Sequence, residues 1–169
     1  MTRRTEMTHN THTQTGSALV IGLIILLVMT IIGVTTMQTT LLQEKMTGSL
    51  RDGDLAFQAA EAALREAEES IEPSTSQPGW VVQLNSPPNL LEQDHSWWTN
   101  NSNTEEATFS GVASNPRYVG ESEAFIRDTL RLGHGPVTGR NVFRTTARGT
   151  GGTDSAEAII RTRYAKRYN

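Results

Sequence analysis

An uninterrupted apolar run near the N-terminus is the feature that most constrains this sequence. No charged residue occurs from Gly16 to Gln43, and residues 18–34 read ALVIGLIILLVMTIIGV. On a membrane-insertion scale, the twelve Leu, Ile and Val residues of Leu19–Val34 contribute about −4 to −7 kcal/mol in total, and no charge opposes them. The polar remainder is too small to bury a helix that is apolar on every face. The run therefore predicts a membrane-spanning helix rather than a core helix.

The charges on either side of the run predict its orientation. Arg3 and Arg4 precede it, whereas the acidic and basic residues in 44–52 cancel. By the positive-inside rule, the short N-terminus stays in the cytoplasm and the larger C-terminal part is exported. A cleavable secretory signal would have a shorter apolar region of about 7 to 15 residues and a small-x-small cleavage site. Neither feature fits this run, so we expect the apolar helix to stay on the protein.

Composition excludes several classes of chemistry. The chain has 169 residues, a net charge of −3 and no cysteine, which excludes a disulfide framework and a cysteine nucleophile. His9 and His12 precede the apolar run, and His95 and His134 stand alone, so no histidine pair has metal-ligand spacing. Gly149–Gly152 lacks the lysine and the following helix of a phosphate-binding loop. The sequence predicts a non-enzymatic protein without cofactor or metal.

The segment before the apolar run has a distinctive chemistry. Residues 1–16, MTRRTEMTHNTHTQTG, are polar and mildly basic, and they end in a glycine directly against the run. A peptidase at the cytoplasmic membrane face needs an accessible bond, and glycine gives backbone freedom without a side chain. The bond in question is Gly16–Ser17. This layout resembles a class III (type IV prepilin) signal, in which cleavage precedes the apolar segment and leaves it as an assembly helix.

Two further segments carry the resemblance to a family. Residues 16–68 look like the N-terminal region of PilX-type minor pilins, and LAFQAAEAALREAE at Leu55–Glu68 is the most specific part. NVFRTTARGTGGTDSAEAIIRTRYAKR at Asn141–Arg167 is similar to the closing segment of the same family. The two segments cover about half of the chain, and their order and spacing strengthen the match.

The resemblance implies an α+β fold, in which a long N-terminal transmembrane and amphipathic α-helix packs on a C-terminal antiparallel β-sheet. It implies a prepilin leader peptide at 1–16 and a transmembrane and assembly helix at 17–40. An amphipathic continuation of the helix follows at 41–72, and an exported globular domain follows at 73–169. Prepilin peptidase is expected to cleave between Gly16 and Ser17, and the new N-terminus at Ser17 is expected to be N-methylated.

The resemblance also implies partners and a location. The partners are other minor pilins, the major pilin, prepilin peptidase and the inner-membrane assembly platform, with membrane lipid before assembly. The chain is expected in the inner membrane, with its C-terminal domain in the periplasm, and after assembly in a surface pilus that serves adhesion and twitching motility.

One residue departs from the pattern of major pilins. They carry a glutamate at the fifth mature position, and Ile21 occupies that position when Ser17 is counted as the first. In the family picture the buried carboxylate pairs with the free amine of an adjacent subunit, because an unpaired charge in an apolar bundle is costly. Ile21 therefore implies an initiating or tip-proximal minor subunit. The alternative is that Ile21 is simply one more lipid-facing aliphatic residue.

A helical pattern continues beyond the membrane run. Apolar residues recur at mostly three- or four-residue steps and predict one docking face, at Leu42, Met46, Leu50, Phe57, Ala60, Leu64, Ala67 and Ile71. Glu61 and Arg65 are predicted to pair on the exposed face, and Pro73 is predicted to end the helix. Glycine and β-branched residues in Gly33–Thr40 predict bending or local melting when subunits assemble into a filament.

The last third of the sequence is typical of sheet. Strands are predicted at Trp80–Leu84, Arg117–Ile126, Asn141–Arg148 and Ala156–Ala165, the last two forming a hairpin around Gly149–Thr153. The final strand is predicted to alternate. Its inward residues are Ala156, Ala158, Ile160, Thr162 and Tyr164, and its outward residues are Glu157, Arg161 and Arg163.

Two surface hypotheses concern the predicted domain. Trp97 and Trp98 lie in a region with the composition of long surface connections, and we favour core or subunit contact over ligand binding for them. A basic patch near the C-terminus is a candidate for DNA contact, but alternate positions on a strand are more often a solvated face. Contact with DNA is therefore not expected from this patch, which comprises Arg161, Arg163, Lys166 and Arg167.

Two alternatives stay open at this point. A minor pseudopilin of a type II secretion system would share the signal and the missing glutamate. A signal-anchored periplasmic sensor or binding module would never be cleaved, so its N-terminus would still precede Gly16.

Overall fold

The structure is a computed structural model that describes residues 15–84, 89–128 and 138–168. It divides into two compact units, Met1–Met46 and Thr47–Asn169. In chain order the elements are α1 (Thr15–Ile71), β1 (Val81–Gln83), α2 (His95–Asn100), β2 (Glu105–Glu106), β3 (Arg117–Arg127), β4 (Gly139–Thr150) and β5 (Glu157–Lys166). A long N-terminal helix followed by a sheet confirms the predicted α+β class.

Helix α1 ends where the sequence predicts that it should. Its last residue is Ile71, because Pro73 lacks a backbone N–H and disfavours helical geometry at the residue before it. The last carbonyls of a helix have no partner within the helix and need other donors. Lys166 Nζ of β5 donates to the carbonyl oxygen of Ile71 at 2.6 Å, and the Ser74 backbone N–H donates to the same oxygen at 3.2 Å. Lys166 Nζ also donates to the carbonyl oxygens of Glu72 and, at 2.7 Å, of Ser74, just beyond the helix.

The sheet has the strand order β1-β3-β4-β5, and β2 pairs with the start of β3. Strands β3, β4 and β5 are consecutive and antiparallel, as predicted. The hairpin of β4 and β5 is in register from Thr150↔Glu157 to Asn141↔Lys166. The alternation predicted for β5 is confirmed, because the residues predicted to face inward are half-buried, whereas Glu157, Arg161 and Arg163 are exposed.

Strand β1 makes the sheet mixed rather than purely antiparallel. It pairs with β3 in parallel, with Val81 opposite Gly120 and Gln83 opposite Ser122. A parallel pair needs a crossover connection, and the chain between β1 and β3 contains α2. Helix α2 was not predicted from the sequence. Asp94 is its N-cap, since the Asp94 carboxylate accepts from the Trp97 backbone N–H at 2.9 Å.

The sheet is covered on both faces by different helices. The C-terminal part of α1 lies on one face, where Ala63, Leu64 and Ala67 form a core cluster with Tyr118 and Ala147. Adjacent residues of a strand point to opposite faces, so Val119 lies on the other side. There it packs with Trp98 of α2 and with Leu90. Trp98 is fully buried, which confirms the core prediction for that tryptophan, and Trp97 packs beside it half-buried.

The docking face of α1 differs from the predicted stripe in its first half. Ala60, Leu64, Ala67 and Ile71 are buried as predicted. Leu50 and Phe57, however, are 73% and 47% exposed, so their placement on the docking face was wrong, and Leu42 and Met46 are also exposed. The buried positions are instead alanines, at Ala56, Ala59 and Ala63.

The reason for this difference is the close approach of strand β4 to the helix. A Cβ atom built on Gly149 would collide with the carbonyl oxygen of Ala56 and the backbone nitrogen of Ala60. Side chains larger than alanine do not fit between two backbones at that separation. A prediction from hydrophobicity alone therefore assigned Phe57 to the wrong face, because the contact between β4 and α1 admits only small side chains.

Candidate membrane and assembly site

The apolar segment, residues 17–40, presents its side chains outward all round the helix. Every residue of this segment is exposed, including Leu19 at 73% and Met29 at 70%. Within the described residues, α1 is long and apolar enough to cross a membrane by length and composition, with a mean hydropathy of 2.9 in its apolar window. An apolar surface of this extent requires lipid or other helices around it.

The threonine hydroxyl groups of this segment are satisfied within the helix itself. Thr30 Oγ1 donates to the Leu27 carbonyl at 2.7 Å, and Thr36 Oγ1 donates to the Ile32 carbonyl at 2.9 Å. Thr35, Thr39 and Thr40 make the same kind of bond to carbonyls three or four residues earlier. A threonine that bonds back to its own helix presents its methyl group outward and leaves no donor unpaired in an apolar medium.

The predicted processing residues lie at the beginning of the helix. Gly16 and Ser17 are in the first turn of α1 and are exposed, and the Ile21 side chain is 55% exposed. Residues 1–14 of the predicted leader lie outside the described residues. Cleavage of the Gly16–Ser17 bond, N-methylation of Ser17 and the role of Ile21 remain predictions.

The glycines of the apolar segment have open space around them within the chain. A Cβ atom at Gly22 or Gly33 would meet nothing within 4 Å among the described residues. Residues Gly33–Thr40 are helical in this structure of a single chain. The predicted melting concerns an assembled filament and so remains a prediction.

The sheet face that bears α2 carries a ladder of ion pairs, which we call the charged ladder. At its centre the Glu121 carboxylate accepts from Arg144 Nη2 at 2.8 Å and from Arg144 Nε at 2.9 Å. Glu121 is 1% exposed, and these two residues are direct cross-strand partners on β3 and β4. The hydrogen bonds that Arg144 donates to Glu121 raise the pKa of the Arg144 guanidinium. A pair made in this way fixes the register of β3 against β4.

The outer part of the charged ladder engages the basic residues of the C-terminal patch. Arg163 donates to both carboxylate oxygens of Glu123, at 2.7 and 3.0 Å, and this holds the Glu123 pKa below its ordinary value. Arg161 Nε donates to Thr146 Oγ1 at 2.8 Å, and Arg167 pairs with Asp128 at 2.8 Å. The predicted pair Glu61–Arg65 is also present, at 2.8 Å on the exposed side of α1.

A carboxylate on α1 holds the loop between β4 and β5. Asp52 Oδ1 accepts from the backbone N–H of Gly152 at 2.5 Å and of Thr153 at 3.3 Å, and Asp52 Oδ2 accepts from the Thr153 hydroxyl. Sequence reasoning missed this contact, because Asp52 and Gly152 are 100 residues apart. The sequence signal that could have indicated this contact was the glycine-rich turn, whose backbone N–H groups favour an anionic acceptor.

The Asp52 contact predicts a specific pH dependence. The hydrogen bonds from Thr153 and Gly152 lower the pKa of Asp52 from its ordinary value of 3.8. Because the folded pKa is the lower one, the stabilisation is present above pH 3.8 and is lost as the pH falls through the folded pKa. In urea titrations between pH 2 and 7, we expect Asp52→Ala to reduce the acid-induced loss of stability. Equal acid-denaturation curves for Asp52→Ala and wild type would contradict the prediction.

The described residues offer little for small-molecule chemistry. They contain no group of three or more His, Asp or Glu residues placed to hold a metal ion. One shallow surface cleft of about 260 Å³ lies between α1 and the loop after β2, lined by Gln58, Glu61, Ala62, Arg65 and Phe109. Its polar lining consists of the exposed Glu61–Arg65 ion pair and Gln58. The apolar segment is therefore the feature with the clearest functional chemistry.

The comparison with known proteins concerns this same segment. The family model described as PilX N-terminal matches residues 15–65, which contain the whole apolar segment and the first part of the face that packs on the sheet. No curated protein and no solved structure matches the chain. The match confirms the resemblance stated from the sequence: residues 15–65 are similar to the N-terminal region of PilX-type minor pilins of type IV pili.

Proposed function

We propose that this chain is a structural subunit that primes assembly of a type IV pilus or is incorporated into it, at or near the tip. The observation that carries the proposal is the apolar segment, which is exposed on all sides and has internally bonded hydroxyls. Such a helix suits two surroundings, a lipid bilayer before assembly and a bundle of apolar helices afterwards. When the helix moves from the bilayer into the bundle, it exchanges one apolar environment for another. The packing between helices therefore decides the equilibrium between the membrane-bound and the assembled subunit. The family is structural rather than enzymatic.

Storage in the membrane and incorporation are proposed to use the same residues. Before assembly, residues 17–36 would cross the inner membrane, with the N-terminus in the cytoplasm and the C-terminal unit in the periplasm. An assembly motor acting through the inner-membrane platform would then extract the helix into contact with other minor pilins and the major pilin. Open space around Gly22 and Gly33 supports close approach of neighbouring helices, because small residues let backbones come together.

The position near the tip is argued from Ile21. A subunit with glutamate at that position would have to bury the carboxylate against the free amine of a neighbour, whereas isoleucine adds apolar surface and no charge. A subunit without this carboxylate is suited to the start of the filament, where there is no N-terminal amine of a previously added subunit to neutralise. This supports initiation of the filament rather than its extension.

The proposal predicts a mature N-terminus at Ser17. Intact-mass analysis of the protein from its native membrane should give a chain without residues 1–16 and with one added methyl group. Gly16→Leu should leave the full-length precursor, because the peptidase would meet a bulky side chain at the bond it cleaves. In the structure, Gly16 and Ser17 occupy the first helical turn, so the turn must open before cleavage.

The matched control is Gly22→Leu, the same substitution inside the apolar segment, where nothing lies within 4 Å of a new Cβ atom. It should be processed like the wild type. A wild-type chain that still carries residues 1–16 would contradict the proposal and would favour an uncleaved membrane anchor.

Deletion of the gene should abolish surface pili. Loss of protein secretion with normal pili would instead assign the subunit to a type II secretion system.

A further inference from the structure

We propose that His95, Arg148 and Glu157 form a pH-dependent clasp that holds α2 against the sheet, and that protonation of His95 loosens it. The three residues come from three different elements, α2, β4 and β5. The clasp is independent of the assembly role proposed above, because it lies entirely within the C-terminal unit.

Arg148 is the central residue of the clasp. Its side chain is 5% exposed and lies on the α2 side of the sheet, since Ala147 beside it faces α1. Arg148 Nη2 donates to Glu157 Oε2 at 2.8 Å, and Arg148 Nη1 lies 3.0 Å from His95 Nδ1. In the described part of the chain, the buried Arg148 Nε has no hydrogen-bond partner. The guanidinium therefore depends on the two contacts that it does make.

In the contact with His95, Arg148 can only be the hydrogen-bond donor. An arginine side chain has donors but no acceptor and stays protonated at every physiological pH. The contact at 3.0 Å is therefore a hydrogen bond only when His95 Nδ1 carries a lone pair, which requires a neutral imidazole with its proton on Nε2. A protonated His95 would remove the acceptor and place two positive charges in contact. Histidine is the side chain that changes charge between about pH 5 and 8.

Among the described residues, three charged side chains lie at or next to the His95 contact. Arg148 faces it from β4, Glu157 from β5 through Arg148, and Asp94 precedes it in the chain. The pKa of Asp94 lies below its ordinary value, because the Trp97 N–H and the Ser96 hydroxyl donate to it. The N-cap of α2 consequently stays charged while histidine titrates, so a response of α2 in that pH range would not come from its cap.

Loosening of the clasp has a defined consequence for the core. Helix α2 carries the fully buried Trp98, which covers Val119 on this face of the sheet. Trp97 packs edge-on against Trp98, with ring centroids 5.4 Å apart. Release of α2 would expose both indoles and the apolar surface of β3 beneath them. Acidification would thus create a new apolar surface on a domain that is otherwise closed there.

The test is hydrogen exchange of the full chain in detergent micelles at pH 7.5 and 5.5, corrected for the intrinsic pH dependence of exchange. We expect protection of the α2 amides, residues 97–101, to fall by about tenfold or more at the lower pH, the effect of losing one hydrogen bond to a charged group. Amides of Phe143–Ala147 in β4 serve as the internal reference and should keep their protection. Equal protection of α2 at both pH values would overturn the proposal.

A variant separates His95 from other titrating groups. In His95→Asn, the side-chain oxygen takes the place of Nδ1 and accepts from Arg148 at any pH, so protection of α2 should become independent of pH. Persistence of the wild-type pH dependence in this variant would also overturn the proposal. A second measurement uses the wild-type chain alone: the NMR titration midpoint of His95 must coincide with the midpoint of the loss of α2 protection, and separate midpoints would refute the clasp.

Discussion

Replacing Gly149 by valine will destabilise the C-terminal unit by about 3 kcal/mol or more, measured by urea unfolding followed through tryptophan fluorescence. Gly149 lies in strand β4, where valine has the higher strand propensity, so local preference alone predicts stabilisation. The contact with α1 predicts the opposite. A new Cβ atom would collide with backbone atoms of Ala56 and Ala60, which cannot move without displacing the helix.

The matched control for this substitution is Gly152→Ala. A Cβ atom there would lie 3.4 Å from Asp52 Oδ1, an ordinary van der Waals contact, and the backbone N–H that donates to Asp52 would be kept. We expect a change of less than about 1 kcal/mol, as for surface positions without a packing role. A Gly149→Val chain as stable as the wild type would show that α1 and β4 do not approach as closely as described.

The second large effect is expected at the centre of the charged ladder. Glu121→Ala removes the carboxylate that accepts both hydrogen bonds from Arg144, on a side chain that is 2% exposed. Removing one partner of a buried ion pair costs about 3–5 kcal/mol, because the remaining charge keeps its desolvation penalty. The same urea assay measures this loss.

The informative comparison is the double substitution Glu121→Leu with Arg144→Met. Replacing both charges by apolar side chains of similar size removes the desolvation penalty together with the pair, so most of the lost stability should return. A double variant as unstable as Glu121→Ala would mean that the pair itself, rather than the desolvated arginine, provides the stability.

The elements that sequence patterns predicted are those whose signals are local. The end of α1 at Ile71 follows from Pro73, and the alternation along β5 follows from residues two apart in the same strand. Both depend on neighbours within a few residues, which the sequence shows directly. Cleavage between Gly16 and Ser17 and the role of Ile21 were also inferred from a local pattern, and both stay predictions.

Other features depend on distant parts of the chain and were missed. The face of α1 that docks was assigned by hydrophobicity, but Gly149, about ninety residues away, selects alanine over Phe57. Helix α2 has a local N-cap signal in Asp94, yet its stability comes from Trp98 packing on a strand that follows it. The parallel pairing of β1 and the partners of Glu121 and Asp52 likewise require the topology.

Lys166 joins the last strand of the sheet to the end of α1. The carbonyl oxygen of Ile71, the last residue of α1, accepts from Lys166, which lies 95 residues further along the chain. Because synthesis runs from the N-terminus to the C-terminus, the whole of α1 is made before β4 and β5, which belong to the sheet on which it packs. The alanine face of α1 therefore stays uncovered until β4 and β5 have been made, and the C-terminal unit is complete only when its last strand is in place.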